Sequence, residues 1–474
     1  MTRARSLIEA VLSGVPAKEA VYLRQDEQVP PDAKETAASS QDGAKLRVLV
    51  VDHILMFGLS LAQRMGKVDG HEVVYASNWG PSSDSPFCEF LGRGSAGVEL
   101  DPEGWMRHLE GIDVATVTGS EHRGHIVEFL RKVGVPVCGP DSDAVRLELD
   151  RQFGWEIARG AGIKVPWQQR FDDLSEVREY VEQNPGKYVL KLDQTVRAAG
   201  ETLVSQDPKG EDLIAGLTRL EVKLDFCAGS VGYYLQELVE GTEVAISGMF
   251  NGNKIVGDRL LVSFDASSGF CYDLRVDGSA LLDASALTAA LQALEYRGPF
   301  DVNGMLTPSG EFVFLEWTPR WGSGITEFFC HSAMDLGELL RSVATGEDCP
   351  LLMPEVEGKV VVLVNVREED NAENILSIIL PKGQDMPVLD PSGVSFWIDN
   401  AAKTNEGKWV VLPVSKDEHR KGRYCAHAAT LEEAIKLVDK LAETCKIAEC
   451  FIDTARAMQE LDKRVKTIYG HIKG

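Results

Sequence analysis

Three ionisable residues interrupt stretches that otherwise read as apolar strands: Lys191 in KYVLKLD, Glu243 in ELVEGTEVAIS and Glu316 at the end of EFVFLE. A charge taken out of water without a partner is costly. One such residue could be an accident of a strand end, but three in one part of the chain point to a polar cleft. Lys191 is followed by TVRAAGETL, residues 195–203, a loop containing glycine and threonine. An ammonium group beside loop N–H groups suits a phosphate. Glu316 at a strand end, with Asn303 on a neighbouring strand-like run, suits Mg²⁺, which takes one or two protein carboxylates plus phosphate oxygens. His122 and His125 in SEHRGH also follow a strand-like run, but without a third ligand they read as an exposed loop pair.

The elements that must position these residues fall into four segments. Residues 1–45 combine a helix-like stretch over 4–23, with Leu7, Ile8, Val11 and Leu12 on one face, and a polar linker containing Pro30 and Pro31. This segment reads as a solvated tail, with a docking helix as the functional alternative. Residues 46–145 alternate the apolar runs LRVLVVD, EVVYAS, DVATVTG and VPVCGP with helix-like segments such as HIVEFLRKVG. That alternation predicts a parallel, doubly wound domain whose ligand lies at the carboxyl ends of the strands. Its first loop, VDHILMFG, lacks G-x-G-x-x-G, so a dinucleotide is not expected.

Residues 146–350 carry a second βα pattern. It comprises the helices RLELDRQFGWEIARGAG and FDDLSEVREYVEQ, the latter capped by Asp172 or Asp173. Strands around Lys191 and Gln236 follow, then a hairpin over VAISGMFNGNKIVGDRLLVSF and a strand pair at FDVNGMLTPSGEFVFLEW. Residues 351–474 predict a small α+β domain with strands KVVVLVNV and GRYCAHAA. Its helix TLEEAIKLVDKLAE has a capping-box spacing at Thr430 and Glu433 and a buried stripe of Leu431, Ala434, Ile435, Val438 and Leu441. The fold class expected is therefore α/β and α+β, multidomain.

The chain of 474 residues has 49 Lys+Arg against 73 Asp+Glu, a net charge of −24, which argues against nucleic-acid or anionic-membrane partners. With 44% hydrophobic and 26% charged residues it is an ordinary globular composition. No run approaches the length of a membrane span, the N-terminus makes a poor signal peptide, and the nine cysteines contain no C-x-x-C pair. Reduced thiols in a cytoplasmic protein are expected, without structural zinc.

The order and spacing of five segments resemble the ATP-grasp ligases, and within them glycinamide ribonucleotide synthetase (phosphoribosylamine–glycine ligase), over about residues 46–474. KVGVPVCGPDSDAVRLELDRQFGWEIARGAGIKVP is similar to that family's G-I-P-x-x-G-P … K-x-x-x-K … x-I-P stretch, which implies Arg151 on the α-phosphate. YVLKLDQTVRAAGETLVS resembles V-V-K-A-D-G-L-A-A-G-K-G-V and implies Lys191 on the α- and β-phosphates. YYLQELVEGTEVAISGMFNG resembles E-E-F-L-x-G-x-E-x-S, implying Gln236, Glu237 and Val239 around adenine and Glu243 on the ribose hydroxyls. GEFVFLEWTPRWG resembles x-V-I-E-F-N-x-R-F-G-D, implying Glu316 at Mg²⁺ or Mn²⁺, with Thr318 at the place of the family's metal-binding asparagine, and Arg320 near the transferred phosphoryl group. The segment from Gly422 to Ala457 resembles the family's closing segment.

The resemblance implies an ADP-forming ligase that joins a small-molecule carboxylate to an amine through an acyl phosphate, as a monomer or homodimer. Catalysis would rest on Lys191 and Arg320, since positioning and charge neutralisation dominate phosphoryl transfer. Departures from the pattern shape the expectation. Glu201 stands where the family's glycine loop ends in lysine, and Thr318 where it has a metal-binding asparagine. SFDASSGFCYDLRVDG replaces the asparagine- and glycine-rich substrate loop. Efficient joining of glycine to phosphoribosylamine is therefore not expected. The alternatives are that enzyme proper, or a nucleotide-binding protein of this fold that has lost turnover.

Overall fold

The structure is a computed structural model that describes residues 45–52, 58–77, 90–101, 104–119, 123–192, 202–224, 232–322, 324–368, 375–398, 400–413 and 420–472. The N-terminal helix and linker, His122, and the loop carrying Glu201 lie outside these residues.

The first unit contains β1 (Arg47–Asp52), α1 (Gly58–Gln63), β2 (Glu72–Ser77), β3 (Val98–Leu100), β4 (Val114–Val117), α2 (Gly124–Lys132) and β5 (Val137–Cys138). The strands form a parallel sheet in the order β3-β2-β1-β4-β5. β1 is apolar along almost its whole length because both of its faces are covered. Val48 and Val50 pack with Leu59 and Met65 on one side, whereas Leu49 and Val51 meet Phe129 and Leu130 of α2 on the other. The sequence analysis missed β3, a three-residue edge strand that carries no fully buried residue to mark it.

The chain continues through α3 (Ser142–Leu149), α4 (Arg151–Gly160), β6 (Gln168–Phe171), α5 (Leu174–Gln183), β7 (Tyr188–Leu192), β8 (Leu203–Val204), α6 (Glu211–Leu224) and β9 (Tyr233–Glu237). The single helix expected over 146–162 is two helices. Asp150 leaves helical geometry at φ −105° and ψ 92°, and its carboxylate accepts from the Phe153 N–H to cap α4. Strands β6-β9-β7-β8 form a small antiparallel sheet, with Leu190, Leu192 and Leu235 packed on α5 and α6. Asp173 is the cap of α5.

Next come β10 (Thr242–Phe250), β11 (Leu261–Ala266), β12 (Gly269–Asp273), α7 (Ala284–Ala293), β13 (Gly298–Leu306), β14 (Phe312–Thr318), α8 (Ile325–Ser332) and α9 (Leu336–Thr345). The last part holds β15 (Val360–Glu368), β16 (Leu376–Ile379), β17 (Val388–Asp390), β18 (Val394–Ile398), β19 (Ala401–Lys403), β20 (Trp409–Val411), β21 (Arg420–Ala428), α10 (Leu431–Ala442), β22 (Lys446–Ile447), β23 (Cys450–Phe451) and α11 (Thr454–Ile472). One large sheet runs β14-β13-β10-β11-β12-β15-β21-β18-β17 and crosses position 350 through the antiparallel pairing of β12 with β15. The capping box at Thr430 and Glu433 forms, and all five residues of the α10 stripe are buried. Among the described residues no helix is long and apolar enough to cross a membrane.

A buried polar chain ties α8 to this sheet. His331 Nδ1 lies 2.7 Å from Ser395 Oγ and its Nε2 2.9 Å from His427 Nδ1, while the Trp397 indole N–H donates to Ser395 Oγ at 2.8 Å. Burial foremost, then the neighbouring His427 and Arg64, pushes the His331 pKa down to about 3. The ring is therefore neutral when folded but takes a proton when unfolded, below the ordinary histidine pKa near 6.5. Stability is complete above that value and falls with acidification until pH reaches about 3. The expected slope is about 1.4 kcal/mol per pH unit for this one group. Melting temperatures at pH 7.5 and 5.5, compared between the native protein and His331→Gln, should show a flatter dependence in the variant.

Candidate functional site

The site follows from strand alternation and register. Successive side chains of a strand point to opposite faces. In the large sheet the antiparallel register aligns Glu316, Asn303, Ala245, Ser263 and Tyr272 as one row across five strands. The adjoining row holds Thr318, Asp301 and Ser247. The intervening residues Val244, Ile246, Val262, Val302 and Trp317 face the opposite way and are buried in the largest apolar core. One face of the sheet is thus hydrophobic, while the other is polar at the cleft and apolar where Met249, Leu261 and Tyr272 pack with α8 and α9.

The polar face lines a cleft of about 360 Å³ whose walls include Glu243, Asp265, Asp301, Asn303, Glu316 and Arg320. Asn303 Nδ2 donates to Thr318 Oγ1 at 3.1 Å. Arg320 is held by Glu148 of α3, with Nη2 at 2.8 Å and Nε at 3.1 and 3.2 Å from its carboxylate oxygens. Burial opposes the Arg320 charge, but Glu148, Asp301 and Glu316 more than offset it and raise its pKa. Burial drives Asp301 up to about 6, with the Ser247 hydroxyl and Arg320 opposing. Asp265 is likewise pushed up to about 6, by burial and then by the charge of Glu243.

Lys191 and Gln236 belong to the small sheet and are not among the residues that line this cleft. Lys191 and Gln236 share the face of β7 and β9 opposite to the one packed on α5 and α6, because Val189 pairs with Gln236 and Lys191 with Tyr234. Burial first, then the nearby charge of Arg151, lowers the Lys191 pKa, while Glu316 and Glu243 oppose the shift. Lys191 is therefore close enough to Arg151 of α4 and to Glu243 and Glu316 of the large sheet to feel their charges. Arg151 is the first residue of α4, directly after the Asp150 cap.

Gln236 is almost wholly buried and its Oε1 has no hydrogen-bond partner. The Glu237 carboxylate is turned to the other side, where it accepts from the Trp167 N–H at 3.0 Å. Val239 lies in the link between β9 and β10, half-buried. Sequence reasoning missed two residues of the site. Glu148 is a helix glutamate like many others, and only the fold brings it to Arg320. Gln168 pairs across the strands with Gln236, and neither of its amide atoms has a partner. His125 of α2 is exposed.

The donor set of Glu316, Asn303 and Thr318 is all oxygen, and the unpartnered Asp301 Oδ1 faces the same cleft. Hard oxygen donors with few carboxylates fit Mg²⁺ or Mn²⁺. A second cluster, Asp69, His71 and Asp335, gathers potential ligands elsewhere. Its groups are engaged structurally: Arg64 bonds Asp69, the Leu336 N–H donates to Asp69, and His71 joins Asp335 at 2.9 Å.

No protein-family profile matches the chain. It is 24% identical over 261 residues to the phosphoribosylamine–glycine ligase of Leptospira interrogans, a match covering 50% of this chain and 60% of that protein. It is 21% identical over 223 residues to the enzyme of the same name from Nostoc, covering 43% and 51%. The chain thus spans between half and three fifths of the length of these curated relatives. Among solved structures, phosphoribosylamine–glycine ligase from Thermotoga maritima superposes with a TM-score of 0.62 at 19% identity, over 85% of this chain and 98% of that one. The biotin carboxylase domain of 2-oxoglutarate carboxylase from Hydrogenobacter thermophilus, solved with MgADP and bicarbonate, gives 0.58 at 15% identity over 89% and 98%. These relatives and neighbours are ATP-grasp enzymes that form carbon–nitrogen bonds, and the chain shares their fold.

Proposed function

We propose that this chain is an ATP-grasp ligase that joins a small-molecule carboxylate to an amine, with an acyl phosphate as intermediate and ADP as product. The observation that carries this reading is that Glu243 and Glu316 line one polar cleft of the large sheet while Lys191 of the small sheet lies close enough to feel both of their charges. A cation and carboxylates so placed suit a metal–nucleotide held between them.

In this reading Lys191 and Arg151 offset the charge of the phosphate chain, and Glu243 accepts from the ribose hydroxyls. Gln236 supplies an amide to the base, and the Val239 link and the backbone at Glu237 border it. Glu316, Asn303 and Thr318 hold Mg²⁺, which when bound neutralises charge on the phosphate oxygens. Arg320, fixed by Glu148, orients the substrate carboxylate and the phosphoryl group it receives. A carboxylate oxygen attacks the γ-phosphorus and ADP leaves; the amine nitrogen then attacks the acyl carbon and phosphate leaves. Enclosure of the reacting groups limits hydrolysis of the intermediate.

Binding of Mg·ATP should stabilise the fold by about 2.7 kcal/mol at a hundredfold excess over its Kd. Glu243→Ala should cost roughly 1–3 kcal/mol of that affinity through lost charged hydrogen bonds. A thermal-shift titration with millimolar Mg·ATP and no movement of the midpoint would refute the nucleotide site.

One observation favours a second reading, nucleotide binding without turnover: Thr318 replaces an asparagine in the resemblance, and its hydroxyl is occupied by Asn303. A panel of carboxylate–amine pairs scored for ADP release separates the two, because a pure binder releases none with any pair.

The names of the relatives favour glycine and phosphoribosylamine as substrates; the cations of the 258–278 segment do not. Arg259 is bound to Glu357 and the Leu274 carbonyl, and Arg275 to Asp273, so neither cation of the 258–278 segment is available to a sugar phosphate there. Freshly generated phosphoribosylamine with glycine, ATP and Mg²⁺ should give no amide at the 1–10³ s⁻¹ scale typical of enzymes.

A further inference from the structure

We propose that the end of the cleft at Asp301 is a subsite for the ammonium group of an unphosphorylated primary amine, which makes Asp301 the residue that selects the co-substrate. The proposal rests on the ligase reading above, and it names a substrate class that reading leaves open.

The first observation is a carboxylate oxygen without a partner. Asp301 is 9% exposed, lines the cleft, and its Oδ1 makes no hydrogen bond. Such an atom is a standing cost unless something completes it, and an ammonium donor does so while cancelling its charge. The second observation is the space beside it. Gly322 lines the same cleft, and a Cβ placed there would sit 3.3 Å from Asp301 Oδ2. The absence of a side chain at this position leaves the approach to the carboxylate open.

The third observation is charge balance. Four carboxylates, of Glu243, Asp265, Asp301 and Glu316, line the cleft. Among the described lining residues Arg320 is the one cation, and it is held by Glu148. Lys191 and Arg151, the cations proposed for the phosphates, are not among the residues lining this cleft. An anion entering at Asp301 would meet an excess of negative charge that Arg320 offsets only in part, whereas a cation is drawn in. Glu327 adds nothing to this preference, because it lies in a buried pair with Arg423.

The probes are ethanolamine, its neutral counterpart ethylene glycol, and its phosphorylated counterpart phosphoethanolamine. Each is titrated calorimetrically into the full chain with Mg²⁺ and a non-hydrolysable ATP analogue present. Ethanolamine should bind at least tenfold more tightly than either of the others. Asp301→Asn should lose that preference at least tenfold, and Asp301→Glu should recover part of it. Equal binding of ethanolamine and ethylene glycol, or tighter binding of phosphoethanolamine, overturns the subsite without any variant. So does an Asp301→Asn protein in which Mg²⁺ affinity alone falls, since Asp301 would then be a metal ligand. If Mg·ATP itself causes no thermal shift while Asp301-dependent ethanolamine binding persists, the ligase reading fails and the subsite stands.

Discussion

Replacing Glu316 by glutamine should reduce Mg²⁺-dependent ADP release by at least a hundredfold while leaving nucleotide affinity within about tenfold, an effect of the size seen when electrostatic stabilisation is lost at a phosphoryl-transfer site. Glu316 supplies the only carboxylate in the proposed metal set, since Asn303 and Thr318 are neutral donors. The substitution keeps the shape of the side chain and removes its charge, and the side chain opens to the cleft rather than into the core. Folding should therefore survive. Single-turnover assays with the active carboxylate–amine pair, read beside Mg·ATP thermal shifts, separate the two effects. A well-folded Glu316→Gln protein with native turnover would leave the residue a structural carboxylate and no more.

Arg423→Met should destabilise the fold by about 3–5 kcal/mol, the usual cost of removing one member of a buried ion pair. Arg423 and Glu327 are 1% and 0% exposed, and they are joined by a direct charged hydrogen bond. Arg423 Nε also donates to Asn365 Oδ1 at 2.9 Å, and its guanidinium lies 4.7 Å from the Phe270 ring centroid. Burial opposes the charge of Glu327, but Arg423 and Arg420 outweigh it and hold its pKa below the ordinary value. Without the arginine, Glu327 must be buried as an unpaired charge or take up a proton. The double variant Glu327→Gln/Arg423→Met should recover a good part of the loss, because it removes the stranded charge. Denaturant unfolding of the two single variants and the double variant measures this coupling; purely additive costs would show that the pair is not the source. Phe270 lines the cleft, so the pair also braces one of its walls from the C-terminal half of the large sheet.

Much of the site was legible from residue types alone. Lys191, Glu243 and Glu316 stood out because charge within an apolar strand run needs a polar surrounding; Glu243 and Glu316 do line a cleft, and Lys191 lies outside its lining but within reach of their charges. The parallel sheet was legible because strands buried on both faces are written as near-continuous apolar runs, as in β1. The α10 helix was legible because its cap and its stripe are both local.

Other features depend on distance in space, for which the sequence has no period. Glu148 and Arg320 are 172 positions apart and meet only because α3 packs beside β14. The break at Asp150 needed competition between capping and helix continuation, which a helical apolar pattern spanning both helices conceals. Among the acids of 258–278, composition could not separate Asp265, which lines the cleft, from Asp273, which is bound to Arg275, or Asp277, which caps a turn. Alternation within a strand assigns a residue to a face, but only cross-strand register decides which residues share that face as neighbours. The sequence by itself therefore determined which strands carry ionisable residues that need a polar surrounding; the tertiary structure decided that Asp301 faces the cleft with an oxygen unused while Glu327 is paired in the core, because pairing partners are set by packing and not by order along the chain.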